Sequence, residues 1–514
     1  MKPFAQLSSL VLALLPALVA GVITPRYFQR APFTRRDLNV TSVETELGAL
    51  LSPNATILGP GDPSFANTTV RYSTYAVPDI EVVVVPGIES DVAVTVQYCD
   101  ENSIEFLAVN RAHGHAYSAS TFKGLMIDIG VLQDIQIQPD QKSAWFQGGT
   151  YDGLVMDYLW DKGLVATTGS CDCVGMMGPG LGGGHGRNEG LYGLISDNII
   201  NLNVVLANGT AIRVNETSHP DLLWGMKGAG HNFGIVTSFE LKVHPRLVDT
   251  WHYHNYIFTE DKLEQVFEEA NKFHHSANGT TPVNMALNFI TFEPNTTISE
   301  TKAVISWSFA YRGPASEAEA LLAPINAIPA VYDAQGDVSF PNISVIQGTD
   351  LGSGACVNNN SWISATASTI DYNVTAERAL YDLYNDYLNT YPELAAASVT
   401  HEGYANAAVQ GFNPDDSAYP SREYNHLNVI NILVPPEYSN LTSVANQWAA
   451  EIRDIWNAGQ PGVRPYNYVN YANGSEPVPS MYGYEEWRLE RLVGLKAAYD
   501  PLNRFRFYNP IVQS

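Results

Sequence analysis

Glycine crowds one stretch of this chain so heavily that the stretch can be neither ordinary helix nor ordinary sheet. It runs Gly175-Met176-Met177-Gly178-Pro179-Gly180-Leu181-Gly182-Gly183-Gly184-His185-Gly186 and reaches Tyr192-Gly193 and Asp197-Asn198 shortly after. Glycine on this scale lets main chain approach a ligand closely and adopt positive φ without steric cost. Backbone amides are then free to face an anion or a cofactor ring. Apolar strand-like segments flank the region, Gly124-Leu125-Met126-Ile127 before it and 199–206 after it. That placement favours a binding loop over a surface connector.

Gly178, Gly180 and Gly183 satisfy G-x-G-x-x-G, with Asp197 near the distance expected of a ribose-binding acid. A dinucleotide fingerprint needs a strand before it and a helix opening within it. Here Pro179 sits inside the turn, and the glycines from Gly182 to Gly186 would ruin a first helical turn. The match is accidental, and no Rossmann domain is expected.

The segment Asn110-Arg111-Ala112-His113-Gly114-His115-Ala116, followed by Cys171-Asp172-Cys173-Val174-Gly175 and the glycine run, resembles the flavoprotein family of vanillyl-alcohol oxidase and berberine bridge enzyme. The likeness continues through Asp221-Leu222-Leu223-Trp224-Gly225 to Thr237 and resumes at the C-terminus. It implies an α+β chain: a two-subdomain FAD-binding domain of the p-cresol methylhydroxylase type, plus a substrate domain with an antiparallel sheet backed by helices. It also implies covalent FAD, with His115 as counterpart of the histidine linked to the flavin 8α-methyl. Cys171 stands where some members link a cysteine to flavin C6, although Asp172 and Cys173 replace the family's proline and threonine. An imidazole and a thioether bonded to the ring would hold it permanently and favour an oxidising flavin. The further cofactor contacts implied are Asn110, Arg111, Ala112, His113, Gly114, Val174, Gly175, Gly178, Gly182, Gly183, His185, Tyr192, Asp197, Ile199 and Asn470.

Near the end, Tyr466-Asn467-Tyr468-Val469-Asn470-Tyr471 and Asp500-Pro501-Leu502-Asn503-Arg504-Phe505 resemble the family's C-terminal return. Oxidation of an alcohol or phenol requires its O–H proton to leave, and a tyrosinate can accept it. Tyr468 is the first candidate base, with Tyr471 and Tyr466 next. Two positions depart from the pattern. Pro179 stands where plant members carry a histidine near the flavin's lower edge, leaving His185 to stabilise negative charge there; Val174, a small residue, resembles the oxidase type that admits O2 and releases hydrogen peroxide.

The balance of 28 basic against 53 acidic residues, a net of −25, repels phosphate backbones and excludes nucleic acid as a partner. A charged start, an apolar run from Leu7 to Ala20 and small residues near Ala20 describe a secretory signal over 1–20. It is too short to span a membrane, and no later stretch is long enough. Sequons at Asn39, Asn54, Asn67, Asn208, Asn215, Asn278, Asn295, Asn342, Asn359, Asn373, Asn440 and Asn473 suit an N-glycosylated extracellular or vacuolar product. Cys99, Cys171, Cys173 and Cys356 leave one thiol unpaired if Cys171 holds flavin, and otherwise permit two disulfides in three pairings. No zinc spacing is present, and no metal is expected.

Along the chain, 21–74 is an N-terminal segment with one helix, Val43 to Leu51, capped by Thr41 or Ser42. Residues 75–246 form the FAD-binding domain, with strands at Ile80 to Val85, Phe106 to Val109, Leu125 to Ile129, Trp145 to Gly148 and Asn201 to Ala207, and helices at Ser90 to Asn102 and Thr150 to Lys162. Residues 247–460 form the substrate domain: strands at Asn284 to Phe292, Ala303 to Tyr311 and His426 to Val434, and helical spacing over Glu260 to Ser276, Ser316 to Ala323, Thr375 to Thr390 and Ser439 to Ala458. Residues 461–514 return to the FAD domain with a helix at Tyr484 to Ala498. The leading function is a secreted FAD-linked oxidase of a small organic molecule such as a secondary metabolite, with O2 as acceptor. An alternative is a mono- or oligosaccharide oxidase acting at the anomeric carbon. A third reading is a flavin-binding protein without turnover.

Overall fold

The computed structural model describes residues 38–275 and 280–512; the expected signal segment and the sequon at Asn278 lie outside them. Two sheets flank the glycine-rich region. The first has four strands in the order Thr56–Leu58, Asp79–Val85, Lys123–Asp128 and Phe106–Val109. Its last three strands are mutually parallel and Thr56–Leu58 pairs antiparallel at the edge. The β-branched run of Asp79–Val85 suits this place, because Val82, Val83 and Val84 are fully buried. Helix Glu89–Glu101 makes the crossover. Its start is held by the Asp91 carboxylate, which accepts from the amides of Gly87 and Ile88 and from Ser52.

The second sheet is antiparallel, in the order Ile135–Ile137, Ser143–Gln147, Ile235–Lys242, Ile199–Val205 and Ala211–Val214. The third has seven antiparallel strands in the order Tyr332–Val338, Trp251–Phe258, Val304–Arg312, Met285–Glu293, Ser398–Tyr404, His426–Leu433 and Trp362–Thr369. Helices Leu263–His274, Ala315–Asn326, Val374–Thr390 and Thr442–Ala458 back it, burying Trp307, Trp448, Trp456 and Tyr381 in one apolar layer. This is the mixed fold the resemblance implied, an antiparallel sheet backed by helices beside smaller sheets.

Local boundaries moved where side-chain capping decides them. The first helix is Val40–Glu46, followed by a 3-10 turn at Gly48–Leu50; Asn39 rather than Thr41 or Ser42 caps it, accepting from the Ser42 amide. The helix expected over Glu260 to Ser276 opens as a 3-10 turn, Glu260–Lys262, and becomes α-helical only at Leu263.

The C-terminal segment is tied to the first sheet by charge and by stacking. Arg504 donates to Asp100 at 2.9 Å and to the Ile104 carbonyl at 2.6 Å, and Arg506 pairs with Glu105. Phe505 and Phe507 meet Phe106 and Phe122 edge-on. No helix of the described residues is long and apolar enough to cross a membrane.

The fold sorts the sequons. Asn54, Asn67 and Asn208 are exposed. Asn473 is buried, with its amide donating to the Ser364 carbonyl at 2.7 Å and its oxygen accepting from the Ser475 amide. Glycopeptide mapping of protein expressed in a glycosylating host is expected to find glycan at exposed sites such as these and none at Asn473.

Candidate functional site

A cleft of about 280 Å³ opens where four segments converge. These are the C-terminal end of the Phe106–Val109 strand with its following loop, the 174–181 part of the glycine-rich loop, the start of the Ile235–Lys242 strand, and the C-terminal segment. Position beyond a strand's carboxyl end is where α/β domains receive cofactors. Asn110, Arg111, Ala112, His113, Gly114, Val174, Gly175, Gly178 and Asn470 all line it. The chain turns into the cleft through Ala112, at φ 55, a conformation non-glycine residues hold only where surroundings enforce it. Here Tyr72 stacks on His113 at 4.4 Å and Arg71 donates to the Gly114 carbonyl at 2.7 Å. Burial lowers the His113 pKa to about 4, with His115, Arg111 and Arg71 adding to the effect, so its ring stays neutral.

The walls carry polar atoms that the protein itself does not satisfy. On the lining, the side-chain oxygens of Asn110 and Asn470 and Nδ1 of His231 are buried without a hydrogen-bond partner, and one residue past Gly114 the two ring nitrogens of His115 are buried without a side-chain partner. Buried polar groups are almost always paired, so four such residues around one cleft fit a polar, ring-bearing prosthetic group. Burial lowers the His115 pKa, against a weaker opposing influence from the backbone of His113 and Tyr471, and its imidazole is neutral. At Gly178 an added Cβ would meet nothing, as expected of backbone facing open space. The amides of Asn110 and Asn470 are meanwhile fixed: Asn110 donates to the carbonyls of Gly148 and Thr150, and Asn470 to the carbonyl of Pro179.

Cys173 and Cys356 form a disulfide. Cys99 and Cys171 are free, with Cys99 buried in the first sheet's core. The Cys171 sulfur lies 3.6 Å from that of Cys173 and 3.8 Å from that of Cys356. Burial, together with the carboxylates of Asp152 and Asp172, pushes its thiol up to about 12, with Arg187 opposing.

Beside His115 stands a proton-holding pair of which the sequence reading named only Tyr471. Tyr471 donates its phenol proton to Glu402, at 2.9 and 3.1 Å from the two carboxylate oxygens, and Tyr404 donates to Glu402 Oε2 at 3.0 Å. Burial raises the Glu402 carboxyl to about 7, against the lowering effect of the two phenols. No sequence motif marked Glu402. Its only signal is strand alternation, which places Glu402 and Tyr404 on one face of Ser398–Tyr404.

The first-choice base does different work. The Tyr468 oxygen accepts from the amides of Gly184 at 3.1 Å and His185 at 3.4 Å and from Asn470 at 2.7 Å, so it secures the loop. Tyr466 packs against Tyr419 and Tyr424 with its hydroxyl unpartnered. Several expected cofactor contacts stand apart from the cleft lining. Asp197 is clamped by both Arg422 guanidinium nitrogens at 2.8 and 3.0 Å, Tyr192 stacks on His244 at 3.6 Å, and Ile199 is buried in strand Ile199–Val205. Gly182 packs on Asn470 and Gly183 on Tyr419. His185 binds Glu189 through Nδ1 and Tyr419 through Nε2, lining a smaller cavity with Tyr404 and Arg422 in place of the flavin-edge position that Pro179 vacates. The cleft also uses Arg71, His231 and Tyr508, which the sequence reading did not single out as contacts.

Comparison with known proteins gives the family. A profile described as "FAD binding domain" matches residues 80–215, and one described as "Berberine and berberine like" matches residues 467–512. The chain is 52% identical to the FAD-linked oxidoreductase iacH of Pestalotiopsis fici over 97% of its length and 96% of that protein's. It is 48% identical to the FAD-linked oxidoreductase OXR2 of Pyricularia oryzae, over 99% of this chain and all of the other. Among solved structures, a glucooligosaccharide oxidase from Acremonium strictum, whose flavin is described as 6-S-cysteinyl and 8α-N1-histidyl, superposes with a TM-score of 0.77 at 19% identity, over 92% of this chain and 100% of that one.

Glu402 and Asp152, the latter fully buried with its carboxyl raised by burial to about 8, make stability depend on pH. Unfolded carboxyls titrate near about 4, so the folded state keeps protons that the unfolded chain releases. The stability these two groups contribute is therefore full in acid and is lost as pH rises from about 4 to about 8. Thermal midpoints measured across that range are expected to fall steadily, and Asp152→Asn is expected to flatten the decline.

Proposed function

The chain belongs to the berberine-like family of FAD-linked oxidoreductases, and from that premise we propose that it is a secreted oxidase of a small organic alcohol or phenol carrying FAD covalently through His115. The observation that carries the proposal is the imidazole of His115, whose two buried ring nitrogens have no side-chain partner, one residue beyond Gly114 on the cleft wall. A neutral ring nitrogen has the lone pair a covalent tether needs. Cys171 is the second point of attachment, held on the same loop as Val174 and Gly175, which line the cleft. When bound, FAD supplies the two-electron acceptor, reoxidised by O2 to give hydrogen peroxide.

The chain's own residues handle the proton. Tyr471 accepts the proton of the substrate hydroxyl while its own phenol proton passes to Glu402, so no buried phenolate has to persist. Tyr404, donating to the same carboxylate, keeps it oriented. Only the ionised form of Glu402 can act this way, and its carboxyl titrates at about 7. Asn110, Asn470 and His231 orient the ring system from the walls. Domain limits at 75–246, 247–460 and 461–514 follow the same reading, which takes the helix-backed sheet as the substrate side and the N-terminal 20 residues as a secretion signal.

Three measurements test the proposal. Acid-precipitated wild-type protein is expected to stay yellow, and His115→Ala to release its colour; colour that survives His115→Ala refutes the tether. Cys171→Ala is expected to keep one covalent bond and change the absorbance spectrum. Peroxide release is expected from benzylic or phenolic donors, with kcat/KM rising through pH of about 7, and Glu402→Gln is expected to lower it about 100-fold or more and to remove that rise. Turnover of oligosaccharides alone would favour the sugar-oxidase alternative, and no turnover at all a flavin-binding role.

A further inference from the structure

On the helix-covered face of the seven-stranded sheet, away from the cleft, lies a second cluster of ligating side chains. His252 and His254 sit two residues apart on strand Trp251–Phe258 and point to the same face, and Glu319 reaches them from helix Ala315–Asn326. His252 Nε2 is 2.9 Å and His254 Nδ1 2.8 Å from one oxygen, Glu319 Oε1, and the three atoms lie within 4.8 Å of one another. Both histidines are 2% exposed, whereas the Glu319 side chain is 25% exposed and gives the cluster a path to solvent.

The surroundings of His252 and Glu319 are those of a metal site's outer shell, while His254 Nδ1 also meets the Tyr256 hydroxyl at 2.8 Å and its Nε2 is buried without a partner. His252 Nδ1 meets Asp337 Oδ1 at 2.8 Å, across the strand pairing of His252 with Asp337. The other oxygen of Glu319 accepts from Asn326 at 2.8 Å, and Asn326 in turn accepts from Tyr256. A ligating histidine usually donates its second N–H to a carboxylate, and a ligating carboxylate is itself hydrogen-bonded. Counting protons gives the same answer. A neutral imidazole has one N–H, yet His252 faces a carboxylate at each nitrogen. A cation at Nε2 with the proton on Nδ1 satisfies both.

We propose that His252 Nε2, His254 Nδ1 and Glu319 Oε1 bind one divalent transition-metal ion, zinc by preference, with water as the fourth ligand. The ligand set is two nitrogens and one carboxylate oxygen, the borderline combination that zinc accepts in tetrahedral geometry. Bond lengths of about 2.0–2.2 Å require ligand separations of about 3.3 Å, so the present contacts open by about half an ångström. The ion pins the edge strand Tyr332–Val338, through Asp337, and the Ala315–Asn326 helix to the sheet. The sequence shows no such site because its ligands lie two and 65 residues apart.

The test uses the full chain with flavin bound, cleared of metal by a chelator and titrated with zinc chloride by calorimetry, with bound metal counted and thermal unfolding followed. The expected result is one zinc per chain and a raised unfolding midpoint. Glu319→Gln and His254→Ala each remove stoichiometric binding, Asp337→Asn weakens it about tenfold through the outer shell, and His275→Ala, at the exposed pair with Asp371, leaves it unchanged. Flavin absorbance reports that each variant is folded. Failure of the wild type to bind one equivalent, or binding undiminished in Asp337→Asn and in whichever ligand variant folds, overturns the proposal and leaves a histidine clamped between two carboxylates.

Discussion

The phenol oxygen of Tyr468 holds the site together. A loop as rich in glycine as 175–186 has the highest conformational entropy to lose on folding, and few side chains of its own with which to hold shape. Tyr468 supplies what the loop lacks, accepting the amides of Gly184 and His185 and the side chain of Asn470 on one oxygen. Asn470, fixed in this way, anchors the Pro179 carbonyl across the cleft. The loop then packs against its neighbours with no room for a side chain: an added Cβ at Gly186 would lie 1.6 Å from the Thr168 carbonyl oxygen. Glycine is required there by close approach, and by the ligand side only where, as at Gly178, the backbone faces the cleft.

The same oxygen explains why the sequence alone does not say which tyrosine meets Glu402. In Tyr466-Asn467-Tyr468-Val469-Asn470-Tyr471 three phenols of equal chemistry stand within six residues, and nothing in their order says which one is satisfied locally. The Tyr471 amide bonds the Tyr468 carbonyl, a turn that sends the two side chains to different partners, one to the loop amides and the other to Glu402. That outcome depends on Glu402 arriving from a strand 69 residues earlier, a relation made by tertiary packing alone. The loop from Asn110 to Gly114, by contrast, was legible because its motif is contiguous and a strand end delivers it. Asp197 and Tyr192 read as cofactor contacts since they lie in that same conserved-looking order of motifs. Arg422, from the far side of the chain, takes the Asp197 carboxylate, and His244 covers the Tyr192 ring.

Charge divides the site along similar lines. With 53 acidic residues in the chain, carboxylates are plentiful, yet only a few are buried without a full set of donors. Arg422 gives Asp197 two charge-assisted hydrogen bonds. Glu402 receives only neutral phenols, and Asp152 a single amide from Gly169, so burial prevails in both and their protons are held toward neutrality. A group poised near neutrality is useful as a base only where it touches a proton path. Glu402 does so through Tyr471, whereas Asp152 lies under the Cys171 loop.

The two proposed tethers differ for the same reason. Burial makes His115 a better nucleophile at ordinary pH, since it disfavours the charged imidazolium and leaves a neutral ring. Burial does the opposite to Cys171, because the reactive form of a thiol is the charged one, and the carboxylates of Asp152 and Asp172 add to the cost. One environment therefore readies the imidazole and restrains the thiol. Were flavin bound here, His115 would be the readier of the two to attach, and Cys171 the group held back until a positive influence such as the Arg187 guanidinium offset the charge of its thiolate. Reversing that order would require the Cys171 loop to be solvated in the apoprotein, and the Cys173–Cys356 disulfide, which fixes the loop beside Gly354–Cys356, works against this.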